Sequence, residues 1–158
     1  MDSRIEGVVI KELKPIRDDR GEVCELLRSD DELFVSFGQL YYTTVNAGVV
    51  KAWHYQSKQT DHLLTVGPRV IIVLYDRRDS STTHGNVIEV RGGREAPVLV
   101  RIPPGVCHGF MAEGNQDAMI LNVPTELYDY DDPDEFRIDP FDSGIPFDWR
   151  ALGANRGK

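Results

Sequence analysis

The residues of this 158-residue chain best suited to chemistry are its four histidines, His54, His62, His84 and His108, and the polar groups spaced around them. An imidazole titrates near neutrality, so one held against a substrate can take up and return a proton. In Lys51-Ala52-Trp53-His54-Tyr55-Gln56, β alternation sets His54 and Gln56 on the face of Ala52, and Lys51, Trp53 and Tyr55 on the other. A base and an amide then share one wall. His62 opens the next strand on the side of Leu64 and Val66, as either a pocket group or an exposed strand end. His108 follows the turn Ile102-Pro103-Pro104-Gly105-Val106-Cys107 and starts another strand, where its plainer role is to hold that turn. His84, among Ser80, Ser81, Thr82, Thr83 and Gly85, reads as a solvated loop residue.

The elements that must position these groups are strands. Segments 7–13, 22–27, 39–45, Val49–Tyr55, 62–66, 69–75, 85–90 and Val98–Ile102 are rich in β-branched and aromatic residues. Breakers such as Asn46-Ala47-Gly48, Gly67-Pro68, Gly92-Gly93 and Pro103-Pro104-Gly105 separate them, and residues 17–21 form a polar turn. Ser29 with Glu32 has the form of a capping box, which predicts one short helix over residues 30–37. The tail from Gly153 is expected to fray. Short strands at this spacing predict an antiparallel sandwich or barrel in one domain spanning residues 1–158.

The composition narrows the function classes. With 26 acids against 18 bases the formal charge is −8, which argues against a nucleic-acid or anionic-membrane surface. Eight acids and one base, Arg137, lie between Glu126 and Asp142, so seven of the eight net negative charges fall in one C-terminal segment, expected to be a solvated surface. The remainder is nearly neutral, so the charge does not exclude a small phosphorylated ligand. Cys24 and Cys107 lie far apart and outside any CxxC spacing, which suggests neither a disulfide framework nor a thiolate zinc site. The longest apolar run, Val70 to Tyr75, is far short of a membrane span, and a cytoplasmic location is expected.

The patterns G-x5-H-x-Q (Gly48 to Gln56) and P-x-G-x-x-H (Pro103 to His108), in this order in a β-rich chain, resemble the paired motifs of cupins. The resemblance implies an all-β cupin jelly-roll barrel with one short helix, its two motif strands facing an interior pocket. A metallocupin built on His54, His62 and His108 is one alternative. Gln56 replaces its second motif histidine and only Asp61 could serve as its carboxylate, a poor donor set for a divalent metal.

Longer blocks are similar to the dTDP-4-dehydrorhamnose 3,5-epimerases. They are Asp19-Arg20-Gly21-Glu22-Val23-Cys24-Glu25, the strand Val49 to Gln56, Val73 to Ser80, and Ile102 to Phe110. An ending with Asp139-Pro140, Gly144-Ile145 and Trp149 completes the set. The resemblance implies a homodimer that needs no metal or other cofactor and acts on a nucleoside-diphosphate 4-keto-6-deoxy sugar. A base removes a proton beside the C4 ketone, polar groups hold the enolate oxygen, and an acid reprotonates the carbon from the opposite face.

By this resemblance His54 is the base and Lys51 replaces a diphosphate-binding arginine, while Arg20 and Glu25 reach the nucleotide of the neighbouring subunit. The family's keto-polarising lysine falls near His62. Its proton-donating tyrosine falls on Asn122, which has no titratable proton, leaving Tyr41, Tyr42, Tyr128 and Tyr130 as other sources of an acid. The aspartate that orients the family's base has no counterpart in sequence. The candidate catalytic set is therefore His54, His62, His108 and Asn122, and the candidate substrate-binding set is Arg20, Glu25, Gln39, Lys51, Gln56 and Tyr128. A nucleotide-sugar binder that has lost the chemistry is the alternative from a different class.

Overall fold

The computed structural model describes residues 4–158. Its strands are β1 (Val9–Glu12), β2 (Ile16–Asp18), β3 (Gly21–Val23), β4 (Tyr41–Val45), β5 (Val49–Tyr55), β6 (Asp61–Thr65), β7 (Val70–Asp76), β8 (Val87–Gly92), β9 (Val98–Ile102), β10 (Val106–Ala112), β11 (Ala118–Asn122), β12 (Phe136–Arg137) and β13 (Arg156–Gly157). One sheet is ordered β1-β9-β6-β11-β4 and the other β12-β5-β10-β7-β8, with β2 and β3 forming a separate hairpin. The pairings are antiparallel except that β13 joins β5 in parallel. This is the all-β cupin jelly roll that the two motifs imply.

The central strands of each large sheet are buried on both faces, so the chain builds three apolar layers. Between the sheets, Leu63, Val98, Val100, Ile102 and Ile120 meet Val70, Ile72, Leu74, Val90 and Phe110. Outside the first sheet, Leu64, Leu99 and Val123 are covered by Leu13, Leu33, Leu26 and Leu27. Outside the second, Val50, Ala52, Trp53, Val73 and Met111 are covered by Ile138, Phe141, Ile145, Phe147 and Trp149. Full burial of side chains this size contributes about 1.5–3 kcal/mol each. The C-terminal segment also covers the free edge of β5, where β12 pairs with His54 and Tyr55 and β13 pairs with Val49 and Val50.

Two sequence expectations fail here. Residues 30–37 form successive turns, not a helix: Asp31 Oδ1 accepts the Leu33 N–H, and only Leu33 is drawn into the core while Val35 and Phe37 stay exposed. With one apolar anchor there is no stripe to stabilise a helix. The helical turn that does form is the short 3₁₀ segment Trp149–Leu152, capped by Asp148. Nor does the tail fray at its end: besides the β13 pairing, Asn155 N–H donates to Gly48 O and Lys158 N–H to Val50 O. A Cβ at Gly157 would lie 2.4 Å from Val50 Cγ1, so only glycine lets these strands meet.

Asp76 and the connection that follows it, through Thr83, form a structural lock. Asp76 is fully buried at the end of β7 and accepts hydrogen bonds from Arg78 Nε (2.8 Å), Ser81 Oγ (2.6 Å) and Thr83 Oγ1 (2.6 Å). Burial alone would raise its pKa, but these donors hold it well below the usual carboxylate range.

Candidate active site

A cavity of about 970 Å³ opens between the sheets at the end where the apolar core gives way to polar side chains. The register of β5 against β10 decides what faces it. Val50 pairs with Met111 and Lys51 with Phe110, but His54 pairs with His108, so β5 takes one more residue than β10 over the same length. This bulge breaks the alternation expected from sequence, which set Lys51 and His54 on opposite faces. Instead both line the cavity, and Ala52 and Trp53 both turn outward against Trp149. Gly109 makes the crossing possible, since a Cβ there would lie 2.2 Å from that of Ala52.

His54 sits on this wall with its side chain 15% exposed. Its Nδ1 lies 3.3 Å from Glu135 Oε1, outside well-aligned hydrogen-bond geometry. Burial, followed by the neighbouring His108, brings the imidazole down to a pKa of about 4, with Glu135 opposing the shift. The ring is therefore neutral at neutral pH and able to accept a proton. The His108 ring centroid lies 6.3 Å away, with Nδ1 3.3 Å from Val106 O and Nε2 3.8 Å from Asp61 Oδ2.

The facing wall comes from β4, β6 and β11. Asp61 is buried, and its Oδ1 accepts from Gln59 Nε2 (2.9 Å) and Asn122 Nδ2 (2.8 Å). Burial pushes the Asp61 carboxyl upward, against the pull of His108 and the two amide donors. Asn122 Nδ2 also donates to the Tyr41 hydroxyl at 2.8 Å, while Asn122 Oδ1 accepts the His62 N–H at 3.2 Å.

The acidic segment is not merely a solvated surface. Residues of 126–137 form a rim of the cavity, including Tyr128, Asp132, Glu135 and Arg137. Asp134 pins this rim to the β5–β6 loop by accepting from Ser57 Oγ (2.6 Å), Ser57 N (2.8 Å) and Lys58 N (2.8 Å). Arg156 and Lys158 line the cavity too, brought there by the pairing of β13 with β5.

Of the residues singled out in sequence, His54, His108, Asn122, Gln39, Lys51, Gln56 and Tyr128 line this one cavity. His62 does not belong with them. It points outward from β6, where Nδ1 lies 2.7 Å from Val123 O and Nε2 2.9 Å from Leu33 O, clamping the covering loop to the sheet. Every residue of β6 is buried, so sequence pattern could not tell the inner face from the outer. For the same reason His54, His62 and His108 cannot form one metal centre. Among the described residues, no group of three His, Cys, Asp or Glu side chains is arranged to hold a metal ion.

Arg20 and Glu25 lie outside the cavity of their own chain, Arg20 paired with Asp18 and Glu25 with Arg28. Residues missed by the candidate sets are Glu135, Asp61, Arg156 and Lys158, together with Tyr41, which had been one of four tyrosines without a position. No motif marks Glu135, which sequence reading leaves within the acidic run.

The profile of the dTDP-4-dehydrorhamnose 3,5-epimerase family matches residues 2–157. The spore coat polysaccharide biosynthesis protein SpsL of Bacillus subtilis is 39% identical over 147 residues, covering 93% of this chain and 97% of SpsL. The probable low-salt glycan biosynthesis epimerase Agl13 of Haloferax volcanii is also 39% identical, over 93% of this chain and 96% of its own length. Among solved structures, a dTDP sugar isomerase from Desulfovibrio desulfuricans superposes with a TM-score of 0.87 at 32% identity, covering 95% of each chain. The enzyme RmlC of Legionella pneumophila, solved with dTDP-4-keto-L-rhamnose, gives 0.82 at 28% identity, over 98% of this chain and 84% of its own. The chain belongs to the dTDP-4-dehydrorhamnose 3,5-epimerase family of sugar-nucleotide epimerases.

Proposed function

We propose that this cavity epimerises a nucleoside-diphosphate 4-keto-6-deoxy sugar, with His54 as the general base. The observation that carries the reading is a buried, neutral imidazole with a carboxylate 3.3 Å from its Nδ1. The opposite nitrogen, Nε2, takes the proton from the carbon beside the C4 ketone, and Glu135 stabilises the imidazolium that results. His108, next to His54, supports the enolate oxygen. Lys51, with Arg156 on β13 alongside and Lys158 just beyond it, offers positive charge to the diphosphate. Solution in D₂O with a dTDP-linked 4-keto-6-deoxy sugar tests this: deuterium enters C3 or C5, and His54→Asn abolishes the exchange. A panel of nucleotide-linked 4-keto sugars without exchange overturns the reading.

The protein acts as a homodimer in this proposal. Ile16 and Val23 are cross-strand partners on the β2–β3 hairpin and are 72% and 62% exposed, an apolar surface its own chain leaves uncovered. The same hairpin carries Arg20 at its turn, so docking it on a second copy would deliver Arg20 to that copy's nucleotide.

Asn122 favours one second reading, a nucleotide-sugar binder without turnover, because an amide stands where the family resemblance puts the donor tyrosine. Ligand-induced thermal stabilisation without any isotope exchange would identify it.

A further inference from the structure

We infer that Tyr41 is the acid that returns the proton, acting from the wall opposite His54, an assignment that rests on the epimerase reading above. Epimerisation through an enolate needs an acid and a base on opposite faces of the sugar ring. Tyr41 stands on β4 in the first sheet and His54 on β5 in the second, and both line the same cavity.

The strand register explains how Tyr41 supplies what Asn122 cannot. The two residues are direct antiparallel partners, so their side chains leave the sheet side by side on one face. The Asn122 amide is held in one orientation, because its Oδ1 accepts the His62 N–H and its Nδ2 donates to Asp61 Oδ1. That leaves Nδ2 to donate to the Tyr41 hydroxyl as well. The hydroxyl is thus an acceptor in this bond, and its own proton is not spent on it. Burial, with the Asp61 charge adding to it, pushes the phenol up to about 12, so it remains in its acid form at neutral pH. The other candidate tyrosines fit less well. Tyr42 alternates to the outer face of β4, and Tyr128 and Tyr130 pack on each other at the rim, Tyr130 being 89% exposed.

The step balances without a co-reactant. His54 Nε2 gains the proton of the broken C–H bond and the electron pair passes to the C4 oxygen. As the ketone re-forms, the enolate carbon takes the Tyr41 hydroxyl proton from the opposite face, leaving phenolate and imidazolium. After the sugar leaves, water carries one proton from imidazolium to phenolate.

The test separates exchange from inversion, using a dTDP-linked 4-keto-6-deoxy sugar in D₂O. Without the acid, His54 can still take a proton and return deuterium on the same face. Tyr41→Phe is therefore expected to keep His54-dependent exchange with retained configuration while epimer formation falls about 100-fold or more. The swap Tyr41→Asn with Asn122→Tyr moves the hydroxyl to the partner strand and is expected to recover part of the inversion. If Tyr41→Phe folds poorly, 3-fluorotyrosine placed at position 41 serves instead. Its more acidic phenol should move the alkaline limb of the inversion profile to lower pH and leave that of exchange in place. An unchanged inversion rate in Tyr41→Phe, exchange and inversion falling together, or no movement of the limb overturns the assignment while the epimerase reading stands. Absence of exchange in the parent protein overturns both.

Discussion

His54 Nδ1 faces the Glu135 carboxylate at 3.3 Å, two residues brought together by the pairing of β12 with the edge of β5. In that pairing Arg137 lies opposite His54, so Glu135 reaches the ring from two residues upstream while also holding Arg137 through Nε and Nη2. The carboxylate raises the proton affinity of an imidazole that burial lowers. Glu135→Gln should therefore reduce kcat by about 100-fold or more with little change in KM, because the charge matters only once the imidazolium forms. The acid limb of the rate profile should move further down. Steady-state kinetics across pH checks both, and a change confined to KM would contradict the positioning role.

His54 also ties stability to pH. Its folded pKa of about 4 lies below the ordinary value of 6.5, so between these values the unfolded chain binds a proton that the folded chain does not. This contribution to stability is fully present above pH 6.5 and is lost as the pH falls toward 4. Denaturant melts of His54→Asn should show a shallower loss of stability over that window than the parent protein. Parallel curves would place the acid sensitivity elsewhere.

The strand pattern and the two histidine motifs were enough to read the jelly roll and to bring His54, Gln56 and His108 to one cavity, because turn chemistry and β-branched runs are local signals. What failed was less local. The bulge that unites Lys51 with His54 leaves no mark in the apolar pattern of β5, and β6 is buried on both sides, so His62 could as well have faced in. Glu135 and Arg156 reach the cavity only through edge pairing with β5. Their sequence distance from His54 hid them in an acidic run and a tail.

Asp76 should be worth more to the fold than to the chemistry. Its carboxylate organises Arg78, Ser81 and Thr83 in the β7–β8 connection without lining the cavity. Asp76→Ala removes the buried acceptor that Arg78 Nε, Ser81 Oγ and Thr83 Oγ1 share and should cost about 3 kcal/mol in denaturant unfolding at neutral pH. At a temperature where both proteins are folded, KM should match the parent. A stability within 0.5 kcal/mol of the parent, the range of ordinary surface changes at about ±0.5 kcal/mol, would refute the lock.

The C-terminal strand should act on binding. Arg156→Ala with Lys158→Ala preserves the Gly157 approach to Val50 while removing two cations from the cavity. The expected result is a KM for the dTDP-linked sugar at least about 10-fold higher, near 1.4 kcal/mol, at little cost to kcat. The difference should shrink as salt is raised, since it is electrostatic. Kinetics indifferent to both substitutions would assign the tail to edge protection alone.

Subunit mixing tests whether each hairpin serves the neighbouring copy. Arg20→Ala and His54→Asn should each be weak or inactive alone. If Arg20 completes the partner's site, a mixed dimer contains one site with His54 from one chain and Arg20 from the other, and one site lacking both. Random exchange of equal amounts then gives mixed dimers in half of the population. Activity should recover to about a quarter of the parent value, as two-fold symmetry requires. If Arg20 serves its own chain, no site in any mixture is complete, and mixing restores nothing. Ile16→Glu with Val23→Glu places two charges on the apolar face of the hairpin and should abolish the recovery along with the dimer, read by sedimentation.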